Sequence, residues 1–202
     1  MLNGAVESDV LGDVAEVRLG HPFRGAIPAV AMGSVRVVQI RDLRPDGIQN
    51  ESDLLRTEVA GRKAPDWLSQ GDILLAARGT NPSATYLANP PPRTVCSPHF
   101  YVIRVKQPDR LLPAFLAWQL NQSPAQRYLR QSAEGSLQLS IRRGVLEQVP
   151  VLMPRFDRQQ AVIALAGSAR AERTALEALI KNRESELALL AERLLTTPTE
   201  AA

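Results

Sequence analysis

The spacing of apolar side chains along the chain changes character twice, and each change predicts a different kind of element. Val35 to Ile40 is a β-branched run that ends in Arg41-Asp42 and predicts a strand. Ile73 to Arg78 is apolar until its terminal arginine, as a strand would be that crosses a core and emerges at a surface. Thr94 to Val105 alternates around Val95, Phe100, Val102, Ile103 and Val105, which predicts a further strand paired with Ile73–Arg78. Val10 to Arg18 carries Leu11, Val14 and Val17 at spacings that suit either a short helix or a strand. Between these runs lie a Pro/Gly/Ala-rich loop from Arg24 to Gly33 and two turns, Pro45-Asp46-Gly47 and Ser69-Gln70-Gly71-Asp72.

From residue 113 the pattern turns helical. Pro113 suits a first helical position ahead of Phe115, Leu116, Trp118, Gln119 and Leu120. Ser123-Pro124 predicts a cap followed by proline at the first turn of a second helix through Tyr128 and Leu129, which Gly135-Ser136 breaks. Ile141 to Gln148 reads as a short helical turn, and Val149 to Pro154 as an extended segment bracketed by prolines.

The third regime is one long helix. Asp157 to Leu195 holds no proline and a single glycine, Gly167, among good helix formers. At about 1.5 Å per residue this is a rod of roughly 60 Å. Val162, Ala169, Leu176 and Leu190 share one seven-residue period, and Ile180, Leu187 and Leu194 share another. Leu165, Leu179 and Ala191 fill neighbouring positions, while Glu172 and Arg183 interrupt the seam. The interruptions predict a short antiparallel helix pairing or bundle rather than a long parallel zipper, and the small residues Ala164, Ala166, Gly167, Ala169 and Ala171 would let a partner helix approach closely. The alternative is a single amphipathic helix folded back on its own domain. The fold class is therefore α+β: a β-rich domain with small helices over residues 1–156, a long helix over 157–196 that pairs as an antiparallel coiled coil, and a disordered tail over 197–202.

Charge sharpens this division. The net charge is +3. Up to Phe156 there are eighteen Lys+Arg against fourteen Asp+Glu, and beyond it six against seven, so the positive excess lies in the first domain. Sixteen of those eighteen cations are arginine, which forks onto phosphates and guanines, although GC-rich coding also favours arginine over lysine. One cysteine, Cys96, and two histidines, His21 and His99, exclude a disulfide framework and a histidine-rich metal centre. Without an apolar run of about 20 residues or a signal peptide, a cytoplasmic protein with no membrane association is expected.

No catalytic constellation assembles. Asn89-Pro90-Pro91-Pro92 resembles the Asn-Pro-Pro-aromatic tetrapeptide of amino-group DNA methyltransferases, but Pro92 offers no ring to stack on a base. Asp66 and Asp72 lack a third carboxylate for two-metal chemistry, and Asp72 sits where a turn needs a backbone cap. Ser97-Pro98-His99 lacks a nucleophile elbow and an orienting acid. The basic positions instead fall at element ends and in loops, where side chains and bare amides reach phosphates. Arg41, Arg62, Lys63, Arg78, Gly79, Thr80, Arg93, Ser136 and Arg142 are the candidate DNA contacts. Nothing here calls for a cofactor.

The order of motifs adds a resemblance. Gly71-Asp72-Ile73-Leu74-Leu75-Ala76-Ala77-Arg78-Gly79-Thr80 resembles the Gly-Asp-Ile-Leu…Arg-Gly strand of type I restriction-modification specificity subunits. The Pro113/Leu116/Leu120 helix, Gln126–Leu129, Gly135-Ser136 and Leu139-Ser140 follow in the same order. Val149 to Pro154 and Gln159 to Ala164 are similar to the Ile-Pro-hydrophobic-Pro and Glu-Gln-x-x-Ile that open the family's long helix, with Gln159 standing where Glu is usual. The resemblance implies a non-catalytic target recognition domain joined to a spacer helix. Its partners would be double-stranded DNA, a DNA adenine methyltransferase subunit and, in some systems, a restriction/translocase subunit. Such subunits carry two recognition domains and an antiparallel helix pair. One domain and one helix are present here, so a homodimer reading a bipartite site is expected. Its contacts would be Val162, Leu165, Ala169, Leu176, Leu179, Ile180, Leu187, Leu190 and Leu194. A different reading keeps the helix pairing and drops the DNA: a coiled-coil scaffold, or an inhibitor mimicking a specificity subunit.

Overall fold

The computed structural model describes residues 7–44, 47–59, 65–79, 82–132 and 139–196. Strand β1 (Glu7–Val10) runs into a single helical turn, α1 (Leu11–Val14), and then β2 (Ala15–Leu19). The ambiguous Val10–Arg18 pattern thus resolves into both a turn of helix and a strand. β3 (Val35–Val38) follows the long loop and gives way at Ile40 to a short 3₁₀ turn. β4 (Leu43–Arg44) and β5 (Gly47–Ile48) form a hairpin whose Gly47 has a φ of 138°, open to glycine and strained for other residues. Pro45 and Asp46 lie outside the described residues.

β6 (Leu55–Thr57), β7 (Ile73–Ala76), β8 (Arg78–Gly79), β9 (Ala84–Tyr86), β10 (Thr94–Cys96) and β11 (Phe100–Val105) complete the strand-rich part. Then come α2 (Pro113–Leu120), α3 (Ser123–Gln131), β12 (Leu139–Ser140), α4 (Arg143–Glu147), β13 (Pro150–Met153) and α5 (Phe156–Thr196). Two expectations shift. The cap of α3 is Gln122, which leaves Ser123 in the first helical position and Pro124 in the second. The turn expected from Ile141 is helical only from Arg143, because Ile141 is pulled into backbone pairing with Ala77.

The central sheet is antiparallel, in the order β2-β11-β7-β9. A second sheet, β10-β3-β6, combines a parallel and an antiparallel pair. The single strand expected over Thr94–Val105 is therefore two strands in two sheets. Pro98 has no N–H for a ladder, the Phe100 amide turns back onto the Ser97 carbonyl, and the Ser97 amide bonds Val38 of the other sheet. β11 does pair with β7, as anticipated.

β7 is buried at every position. Leu74 and Ala76 share a cluster with Phe100 and Val102 of the central sheet and with Val38 and Cys96 of the second. Alternation sends Ile73 and Leu75, equally buried, to the opposite face, and α2 packs against β7 and β9. A strand covered on both faces must be apolar throughout, which accounts for its unbroken hydrophobic sequence.

β1 and β13 pair antiparallel, tying the described start of the chain to the segment that leads into α5. The chain divides into two compact units, Met1–Gln160 and Ala161–Ala202. α5 contributes its first turn to the first unit and is continuous for 41 residues. At 3.6 residues per turn the nine candidate pairing positions fall on one face. Leu165 is 72% exposed, and Leu176, Leu179, Ile180, Leu187, Leu190 and Leu194 are each more than half exposed. No helix among the described residues is long and apolar enough to cross a membrane.

Candidate nucleic-acid interface

Because neighbouring strands of the central sheet run in opposite directions, segments remote in sequence meet at one end of it. β2 leaves there at Leu19, β11 enters at Phe100, β7 leaves at Ala76 and β9 enters at Ala84. Backbone hydrogen bonds lock the flanking loops together: Gly20 N–H to Phe100 O (2.9 Å), His21 N–H to Cys96 O (2.8 Å), Ala77 N–H to His99 O (2.8 Å) and Ile141 N–H to Ala77 O (3.0 Å). Ser97 N–H donates to Val38 O (2.9 Å), which brings in the turn holding Arg41. Arg41, Arg78, Gly79 and Arg142, four of the candidates, thus come to one sheet end from three segments.

Arg78 opens β8, paired with Ser140 of β12, and its side chain makes no ion pair or hydrogen bond among the described residues. Tyr101 pins the same corner, its hydroxyl donating to Ile141 O at 2.9 Å. Burial raises the phenol pKa, with the charge of Arg143 pulling it down, that of Glu147 pushing it up and that of Arg78 pulling it down. Arg142 is exposed and precedes α4, and Arg143 pairs with Glu147 at 2.7 Å.

Beside them lies an open groove of about 390 Å³, lined by Phe23, Ile27, Ile40 and Pro98 together with Gln39, Arg41 and His99. The Asp42 carboxylate accepts from the Gln39 amide at 2.8 Å and sets the turn that presents Arg41, which remains 70% exposed. Gly20 is obligatory against Ser97, which lines the groove, since a Cβ there would stand 2.1 Å from Ser97 O. The loop over residues 20–34, from which Phe23 and Ile27 come, is longer than ordinary connections, and that length was the available signal for it. Nothing local marked Gln39.

Arg93 lies elsewhere, at the far end of the second sheet, where β3 and β10 begin. It adopts a left-handed φ of 55°, stands over the Trp67 ring at 5.8 Å and donates to Ser34 Oγ at 3.1 Å. Arg62, Lys63, Thr80 and Ser136 lie outside the described residues.

Toward the opposite end of the central sheet every cation named has a partner. Asp72, fully buried, accepts from Arg104 Nε at 2.7 Å and Nη2 at 2.8 Å, and caps the Ser69 amide at 2.8 Å. This hydrogen bonding raises the Arg104 pKa further. Arg18 binds Asp66 at 2.9 Å, Arg110 binds Glu7 at 2.9 Å, and Lys106 donates to the carbonyls of Gly12 and Asp13. Asp66 and Asp72 are thus structural anions. The proline run is structural too, Pro91 and Pro92 accepting from Thr94 and Arg36. Burial pushes the Cys96 thiol up to about 12, which removes its thiolate and with it nucleophilic reactivity.

Gln159 closes this end. Its side chain, fully buried, accepts from Leu112 N–H (2.8 Å) and donates to Arg110 O (2.8 Å) and Pro154 O (2.7 Å). Two carbonyl acceptors demand an amide at this position, where the family resembled usually has a carboxylate.

No family model and no curated protein matches the sequence. Solved structures do. A type I restriction-modification system S subunit from M. genitalium superposes with a TM-score of 0.58 at 14% identity, over 92% of this chain and 45% of that one. The HsdS subunit from Thermoanaerobacter tengcongensis gives 0.66 at 17%, over 96% and 45%. A chain from a structure describing complex assembly and conformational transition of the type I R-M system gives 0.69 at 18%, over 96% and 46%. The fold is that of one half of a type I S subunit. The chain spans a little under half the length of those S-subunit structures. Within this S-subunit fold, the Gly71–Arg78 strand is the buried β7 and its exit at Arg78.

Proposed function

We propose that the chain is a non-catalytic, sequence-specific DNA-recognition subunit of a type I restriction-modification system. In this reading the sheet end carrying Arg41, Arg78 and Arg142 faces the duplex. Gln39, Arg41 and His99 meet base edges from the groove, and backbone amides with arginines hold phosphates. A second copy pairs through α5, so that two recognition domains read the halves of a bipartite site. The pair positions an adenine methyltransferase subunit and, where the system has one, a restriction subunit.

The observation that carries the reading is the S-subunit fold with an uncompensated arginine at a sheet end built from loops. Pairing is supported by the exposed stripe of α5. Burying a leucine or isoleucine is worth about 1.5–3 kcal/mol, so seven such side chains suffice against an association cost of about 4–15 kcal/mol.

The test is selection from randomised duplexes by the full chain together with a type I methyltransferase subunit, alongside sedimentation equilibrium. A two-part consensus and a dimer mass are expected. Recovery of no consensus from the bound pool would end the recognition reading. A monomer at micromolar concentration with DNA and methyltransferase present would end the pairing.

A further inference from the structure

We propose that the exposed face of α3 is a second phosphate-binding surface, with Arg127 and Arg130 gripping the backbone of the duplex beside the sheet end that reads it. The proposal rests on the DNA-recognition reading and extends the footprint to a helix that carried none of the candidate residues. Its position follows from two amide side chains. Asn121, just past α2, accepts from Ala84 N–H at 2.9 Å and donates to Ala84 O. Gln126, buried within α3, donates to Pro82 O at 2.7 Å and to Leu120 O at 2.8 Å. Both therefore hold the entry to β9, which is the same end of the central sheet at which β7 delivers Arg78. Ala125 and Leu129 are buried beneath the helix, so its outer face is held rigidly.

On that face Arg127 and Arg130 are three residues apart, hence neighbours on the helix surface, and both are exposed. Neither has an ion pair or side-chain hydrogen bond among the described residues. The chain carries no Asp or Glu from residue 110 to 133, and Glu134 lies outside the described residues. They line a shallow depression of about 320 Å³ with Asn121, Ser123, Gln126 and Gln131, a lining with no carboxylate in which the two guanidinium groups are the charged donors. Guanidinium forks on a rigid helix, in an anion-free concavity beside a DNA-facing edge, suit phosphate oxygens. Readout of base sequence is not expected from them.

The experiment compares the full chain with its Arg127→Gln/Arg130→Gln form, measuring duplex affinity across a fourfold range of salt. Each phosphate contact contributes about 0.9 to the slope of log affinity against log salt. The double variant should lose nearly 2 from that slope, so its affinity falls about tenfold less over the range. Its affinity at low salt should drop for every duplex alike, with the selected consensus and the unfolding midpoint unchanged. An unchanged slope, with the wild-type chain binding DNA, overturns the proposal alone. Loss of methyltransferase binding at unchanged slope also overturns it, and assigns the face to a protein partner. A wild-type chain that binds no duplex overturns both this proposal and the recognition reading beneath it.

Discussion

The two ends of the central sheet use the same residue types in opposite ways. At one end Arg104, Arg110 and Lys106 are spent on carboxylates and carbonyls, the Arg18 side chain reaches from within β2 to Asp66, and Gln159 satisfies three backbone groups at once. At the other, Arg78 stands exposed with no ion pair among the described residues, and Arg41 holds its Asp42 partner only loosely, at 3.6 Å. Counting arginines would rate the ends alike. What separates them is compensation: a cation already bonded within the fold holds the fold together, while an uncompensated one on a rigid edge is available to a polyanion. A domain with a modest charge excess can therefore still present a strongly directional surface.

That contrast can be broken from either side. The largest effect is expected from Gln159→Glu, which sets a buried carboxylate against the carbonyls of Arg110 and Pro154. Stability should fall by about 3 kcal/mol in urea unfolding, and an unchanged midpoint would show that the amide is not held as described. Asp72→Asn removes the charge that Arg104 and Arg18 share. With Arg104 38% exposed, water recovers part of the loss and about 2 kcal/mol is expected, with DNA affinity per folded molecule intact. Gly20→Ala joins the two concerns. The Ser97 carbonyl must move, costing about 1–2 kcal/mol, and selectivity among duplexes should drop with it.

Arg78→Gln should do the reverse of Asp72→Asn. Duplex affinity should fall about tenfold while stability moves by less than about 0.5 kcal/mol. Should Arg78→Gln instead lower the unfolding midpoint and spare binding, the division between the ends is wrong. The smallest effect concerns His21, whose pKa is lowered from 6.5 by burial. The folded state then resists protonation more than the unfolded state does. Its contribution is complete above about pH 6.5 and is lost as pH falls through the window below that value. A His21→Asn variant should show a slightly flatter decline of unfolding midpoint between pH 7 and 5, and an identical slope would remove His21 from the account.

Much of the architecture was legible in the chain itself, because it is written in local periodicity. The continuous apolar run at Ile73 predicts a strand that crosses the core and emerges at its arginine, and β7, buried at every position, leads to an exposed Arg78. The proline-free stretch after Asp157 predicts a single long helix with an apolar stripe, and α5 carries it exposed. The chemistry of Ser69–Asp72 predicts a turn with an aspartate cap, which the Asp72 carboxylate provides.

Tertiary structure decided how those pieces meet. Thr94–Val105 alternates as one strand would, yet Pro98 and the pairing of Ser97 with Val38 divide it between two sheets. Arg41, Arg78, Arg93 and Arg142 are each, in sequence, a cation at the end of an element or in a loop, with Arg78 set apart only by the apolar strand before it and Gly79 after it. Sheet register gathers three of them at one edge and sends Arg93 to Trp67 and Ser34. Asp72 gave no hint of Arg104, nor Gln159 of Leu112 and Arg110, more than thirty residues away in each case. Periodicity reports which face of an element is buried. Which charges are neutralised depends on what lies across the fold, and that distinction separates the end that holds this protein together from the end proposed to read DNA.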